Sequence, residues 1–136
     1  MAALVSLDSV ATLEPARVAE IAAWIDAGFC FLASRDGQPV GYGVLHHHFF
    51  HRGMLELVMV DPRHRRSGIG QAIIRHAIAN CRTPQLWTST NQSNAAMQAL
   101  LAQMGFVPSG IIEGLDADDP EMIYRIETAA PPPFVA

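Results

Sequence analysis

Lysine is absent from this chain, and all nine of its basic residues are arginine. That excludes the Gly-Lys-Ser/Thr phosphate loop of nucleotide hydrolases, which needs a lysine on the phosphates. Cysteine is nearly absent too. The two present, Cys30 and Cys81, stand far apart with no ligand or redox spacing, so no disulfide framework or cysteine metal site is expected and a reducing cytoplasm is the expected compartment. No apolar run near ~20 residues escapes interruption by charge, which excludes a bilayer-spanning helix. The start of the chain has neither the basic stretch nor the small-residue cleavage site of a secretory leader. No internal repeat and no linker divides the sequence. Charged residues are only 16% against 50% hydrophobic, which points to a globular chain rather than a disordered one. A length of 136 residues suits one domain over 1–128, with Pro131-Pro132-Pro133 in a loose tail, 129–136. The net charge of -4 argues against general nucleic-acid binding.

What the chain does have is an uneven placement of charge. Six arginines (Arg52, Arg63, Arg65, Arg66, Arg75 and Arg82) fall between positions 52 and 82, which marks that stretch for an anion. Glu113, Asp116, Asp118, Asp119 and Glu121 crowd another, suited to a cation or simply to solvent.

Ala2–Val10 reads as a strand. Thr12 as cap and Pro15 in the first turn open a helix striped by Val18, Ile21, Ala22 and Ile25 and closed by Gly28. Phe29–Ala33 and Val40–Phe50 read as strands around an Asp36-Gly37 hairpin turn. Arg52-Gly53 is the expected next turn. Met54–Val60 then forms a nearly continuous apolar strand of the buried kind, stopped by Asp61-Pro62. A helix is expected from Gly68 to Cys81 and a strand over Gln85–Thr90. Asn94–Met104 carries Met97, Leu100, Leu101 and Met104 at helical spacing, with Gly105 as its cap. Strands Phe106–Ile112 and Met122–Glu127 enclose the acidic stretch.

In this order the segment RHRRSGIGQAI, residues 63–73, joins a buried strand to a helix. The first N–H groups of a helix have no internal partner, and its dipole is positive there. Gly68 and Gly70 remove the side chains that would hold a ligand away, and Arg65 and Arg66 add forked cationic donors. That composition fits phosphate; a tight turn with solvated arginines is the other reading. A dinucleotide fingerprint would need a third glycine where Ile73 stands.

With Arg65-x-x-Gly68-x-Gly70 after a strand ending in Val60-Asp61-Pro62, and with TSTNQSNAAMQALLAQMGF at 88–106, the chain resembles the GNAT superfamily of acyl-CoA-dependent N-acyltransferases over roughly residues 38–127. The resemblance implies a mixed α/β (α+β) fold. Its sheet would be mostly antiparallel, six- to seven-stranded, with a central V-shaped splay and about three flanking helices. It implies acetyl-CoA as acyl donor. Backbone groups of Val58 and Val60, with Met59 between them, would meet the pantetheine arm. Arg65, Arg66, Ser67, Gly68, Ile69, Gly70 and Gln71 would cradle the pyrophosphate, and Asn94 would bond the arm.

The implied reaction is direct attack of a primary amine on the thioester within a ternary complex. Glu56 is the candidate base, a carboxylate inside an apolar strand where burial would raise its pKa. Many family members carry a tyrosine four residues before the Gly-Phe pair; here that position is Leu101, so the general acid is unassigned and Tyr124 is a poor substitute. Many also place two helices between the first two strands, where this chain has room for about one. His46 and His48, in HHHFFH, share a strand face that could bind metal, line the acceptor cleft or merely face solvent; no metal is assigned.

Three functions stay open: an N-acetyltransferase acting on a cationic acceptor (a small molecule or peptide end), a catalytically weak acyl-CoA sensor or pseudoenzyme of the same fold, and an unrelated phosphate-binding module. The expected partners are acetyl-CoA and the amine, with no nucleic acid and no membrane; a homodimer is compatible with them.

Overall fold

In the computed structural model, which describes residues 1–8, 14–65 and 67–130, the chain opens on a helix and not on the expected strand. Helix α1 spans Ala2–Leu7, with Leu4 and Leu7 buried. Those two leucines are three apart, the spacing of one helical face, and alanine leads the segment as the best helix former. Asp8 closes the helix by donating its N–H to the Leu4 carbonyl. Ser9, Val10 and Thr12 lie outside the described residues, as does most of the expected tail.

Helix α2, Pro15–Asp26, starts with its proline in the first turn, where the missing N–H costs nothing. Two helices therefore precede the first strand, where a strand and then one helix were expected. Strands β1 (Cys30–Arg35) and β2 (Gln38–Phe49) form a hairpin on Asp36-Gly37, both at positive φ, as a two-residue primed turn requires. The next turn is Phe50-His51, with φ of 49° and 64°. Arg52 and Gly53 already belong to strand β3, Arg52–Val60, so the expected Arg52-Gly53 turn is displaced. Gly53 is there for close packing instead: a Cβ at that position would run into the Cys81 sulfur.

Helix α3 (Ile69–Asn80), strand β4 (Gln85–Asn91), helix α4 (Ala95–Gln103) and strands β5 (Val107–Ile112) and β6 (Glu121–Glu127) follow close to their expected bounds. The six strands lie in the order β1-β2-β3-β4-β6-β5. The β3–β4 pairing is parallel, at Gly53–Leu55 against Leu86–Thr88, whereas β1–β2, β4–β6 and β5–β6 are antiparallel. The fold is thus mixed α+β with six strands and four helices, at the lower strand count and above the expected helix count.

The chain divides into two compact units, Met1–His46 with Glu56–Ala77 and His47–Leu55 with Ile78–Ala136. In the first, Leu4, Leu7, Ile21, Tyr42, Val44 and Met59 form one buried cluster and Val40, Ile69 and Ile73 another. A buried polar group is set among them: Tyr42 and Asp8 are both fully buried, and Tyr42 donates its hydroxyl proton to Asp8 Oδ2. Arg17 of α2 reaches the same oxygen at 3.0 Å and stacks 5.8 Å over Trp24. In the second unit the deepest apolar residues are Leu55, Leu86, Leu101, Phe106 and Tyr124.

Candidate functional site

The loop from β3 to α3 is held by its own short-range chemistry. Asp61 is buried, its N–H bonds the Val40 carbonyl at 2.8 Å, and a single turn of 3-10 helix, Pro62–His64, starts on it. Its carboxylate accepts from the Arg63 backbone N–H at 2.9 Å and from the Arg63 guanidinium at 3.1 and 2.8 Å. Those hydrogen bonds hold the Asp61 carboxyl down to about 2. Arg63 is therefore committed within the loop. Ser67 donates its hydroxyl to the His64 carbonyl, and Gly68 at φ +82° turns the chain into α3.

A second strand secures this loop. Arg35, at the end of β1, donates from Nη2 to the Ser67 carbonyl at 2.9 Å. Nothing local to the end of β1 in the sequence announces this contact, which spans 32 positions. Above Gly68 lies open space, since a Cβ there would meet nothing within 4 Å. So the loop offers the unpaired first N–H groups of α3 with the exposed Arg65 beside them, and an uncrowded approach. Arg66 lies outside the described residues. Ser67, Gly68, Ile69, Gly70 and Gln71 are brought together here, immediately after the strand that carries Val58, Met59 and Val60. Val58 and Val60 pack against the cluster under α3 and Met59 belongs to the other cluster, which fixes the strand from both faces.

Glu56 is not buried as expected: its side chain is 43% exposed. Its carboxylate faces His46 of β2, with Oε2 and Nε2 3.2 Å apart. The His46 ring lies against Phe29, centroids 5.6 Å apart, and its side chain is only 15% exposed. Sequence reading singled out this histidine without its partner. Among the described residues no group of three or more His, Cys, Asp or Glu side chains is arranged to hold a metal ion, and no helix is long and apolar enough to cross a membrane.

In the second unit Asn94 caps α4, its side-chain oxygen accepting from the Met97 N–H at 3.1 Å. That commits the oxygen. Leu101 is 1% exposed, a core residue with no proton to give. The acidic loop is partly spent on holding itself. Asp119 accepts from the Ser93 N–H at 3.0 Å and its hydroxyl at 2.6 Å, Asp116 accepts from Asn91 at 2.9 Å, and Glu121 from Ser89 at 2.7 Å. Glu113 and Asp118 are exposed.

Residues 2–106 match the model of the acetyltransferase (GNAT) family. A GNAT-family acetyltransferase from Bacillus cereus is similar to this chain at 31% identity, with a TM-score of 0.85 over 93% of this chain and 89% of its own. The ribosomal-protein-S18-alanine N-acetyltransferase of Escherichia coli shares the fold at 23% identity, TM-score 0.66, over 79% of this chain and 74% of its own. So does a Bacillus anthracis protein designated a streptothricin acetyltransferase and solved with acetyl coenzyme A, at 21% identity, TM-score 0.62, over 72% and 61%. No curated protein matches the chain.

Proposed function

The chain belongs to the GNAT acetyltransferase family, and from that premise we propose that it transfers the acetyl group of acetyl-CoA to a primary amine by direct attack in a ternary complex. One observation carries the reading: the open, glycine-turned N-terminus of α3, buttressed by Arg35 and flanked by Arg65, directly follows the strand Val58–Val60. Orphan N–H groups, a helix dipole and fixed guanidinium charge together suit a diphosphate. Val58 to Val60 would meet the pantetheine arm by backbone hydrogen bonds, the mode by which an extended ligand adds to a strand. Residues 1–128 would act as one catalytic domain.

The chemistry asks for a neutral amine, a stabilised oxyanion and a departing thiolate. Glu56, exposed on the same strand as Val58, would take the ammonium proton. A backbone N–H near Val58 would stabilise the tetrahedral oxyanion, and a donor of that kind is worth about 3 kcal/mol. Buried Leu101 supplies no acid; a thiol of pKa near ~8.5 leaves as thiolate without one. The same leucine favours a second reading, an acyl-CoA sensor of this fold that turns over slowly. The acidic loop favours a cationic acceptor, through Glu113 and Asp118.

Calorimetric titration with acetyl-CoA tests the first half. Parent protein should bind, and Gly70→Glu, which puts bulk and negative charge into the cradle, should bind at least about 10²-fold more weakly. Thiol release with a panel of amines tests the second half. Glu56→Gln should lower kcat by about 10²-fold with acetyl-CoA affinity unchanged. Binding without thiol release for any amine would select the sensor, and no binding would remove both readings.

A further inference from the structure

Resting on the acetyl-transfer reading, we propose that His46 is the proton-holding partner of Glu56, so that the two side chains act as one base. They come from neighbouring strands of one compact unit, and His46 Nε2 lies 3.2 Å from Glu56 Oε2. Their environments differ in a way that divides the labour. Glu56 is 43% exposed and open to an arriving amine, while His46 is 15% exposed with its ring backed by Phe29 at 5.6 Å. The packing turns a ring nitrogen toward the carboxylate. An exposed ion pair formed for stability alone gains little and has no need of a fixed ring.

The chemistry explains why a lone exposed carboxylate would be a poor base here. In general a carboxylate holds a proton weakly at neutral pH, whereas imidazole is the side chain that gains and loses one near neutrality. With the ring in its Nδ1–H form Nε2 is an acceptor, and a proton taken from the substrate ammonium by Glu56 passes along the 3.2 Å contact to Nε2, leaving the carboxylate charged again. The freed nitrogen lone pair then forms the C–N bond, and the C–S bond breaks with its electron pair on sulfur. The nitrogen sheds a second proton. Of the two protons released, one ends on the CoA thiolate and the other in water, so no co-reactant is needed. His46 acts through Glu56 and is a positioning residue, distinguished from a mere hydrogen-bond partner by the proton it carries.

The test is steady-state kinetics on the parent, His46→Gln and His46→Ala with acetyl-CoA and the best amine of the panel, with and without free imidazole. Glutamine keeps a hydrogen-bonding side chain beside Glu56 but cannot hold the proton. Both variants should therefore lose kcat by about 10²-fold with KM for acetyl-CoA unchanged, and free imidazole should restore turnover to the alanine variant. A glutamine variant as fast as the parent would overturn the proposal, as would an alanine variant that imidazole does not rescue. A rise in KM for acetyl-CoA matching the lost activity would do the same. A parent that binds acetyl-CoA but acetylates no amine sinks the acetyl-transfer reading itself, a result visible before any variant is made.

Discussion

Tyr42→Phe isolates one hydroxyl in the buried core of the first unit. The ring is fully buried and the substitution keeps its volume, so no cavity forms. What is lost is a hydrogen bond to the Asp8 carboxylate, itself fully buried and also held by Arg17 at 3.0 Å. A hydrogen bond to a charged group contributes about 1.5–3 kcal/mol, and a buried charge short of a partner keeps its desolvation cost. Arg17 remains, so the middle of that range, about 2 kcal/mol, is the expected loss. Unfolding entropy of about 2.1 cal/mol/K per residue gives ~0.29 kcal/mol/K for a chain of this length, so Tm should fall by about 7 °C.

The alkaline limb provides a second, independent check. Burial, the hydrogen bond to Asp8 and that carboxylate's charge push the Tyr42 phenol well above its ordinary value of 10.0. In the unfolded chain the phenol deprotonates from about pH 10, while the folded protein still holds the proton. The unfolded state then binds fewer protons, and the parent loses stability as pH rises above 10, by up to about 1.4 kcal/mol per pH unit. Phenylalanine cannot titrate, so the gap between parent and variant should narrow above pH 10. Urea denaturation at pH 7 to 11 reads both effects. A variant within about 0.5 kcal/mol of the parent at pH 7, or a gap that stays constant to pH 11, would refute the idea that this hydroxyl sustains the buried carboxylate.

Three further outcomes are expected. Asp61, held down to about 2, contributes stability that is present above its ordinary 3.8 and is lost as pH falls from there toward 2; acid unfolding followed by circular dichroism should be flatter over that window in Asp61→Asn. Arg35→Ala should weaken acetyl-CoA binding by about 10-fold, the order of one charge-assisted hydrogen bond, while kcat at saturating acetyl-CoA stays near the parent value. If the acceptor is cationic, kcat/KM should fall with ionic strength, and Glu113→Gln with Asp118→Asn should flatten that dependence; an unchanged salt slope would make the loop electrostatically idle.

Sequence pattern located most elements because each carries its own local chemistry. Pro15 at the head of α2, Asp36-Gly37 between β1 and β2, and Asn94 before α4 all declare a boundary within a few residues. Where that chemistry was missing, the reading slipped. AALVSL is too short and too apolar for its period to separate strand from helix. Phe50-His51 adopts positive φ at two residues that give no turn cue, whereas the neighbouring Gly53 gives a false one. A turn displaced by two positions moves every cross-strand partner by about four, which took Glu56 out of reach of His46 on paper. The burial expected for Glu56 failed for a related reason: an apolar run says nothing about where a sheet face is left uncovered.

The donor side and the acceptor side of the proposed reaction differ in how the chain encodes them. Phosphate binding at a helix N-terminus would use backbone N–H groups and a permissive glycine, so most of that motif lies within Asp61 to Gln71, with Arg35 the one distant support the structure shows. Acceptor choice uses side chains, and here side chains are placed by partners far away in sequence. Asp8 meets Tyr42 across 34 positions, and Asn91 meets Asp116 across 25. The Asn91–Asp116 contact changes what the composition means. Ser89, Asn91 and Ser93 hold Glu121, Asp116 and Asp119 in place, so the acidic run is a structured loop as well as a charged one. Neutral Ser and Asn donors fix where those carboxylates sit without removing their charge, so all five still contribute to the field of the loop, and its geometry is set by partners far away in sequence.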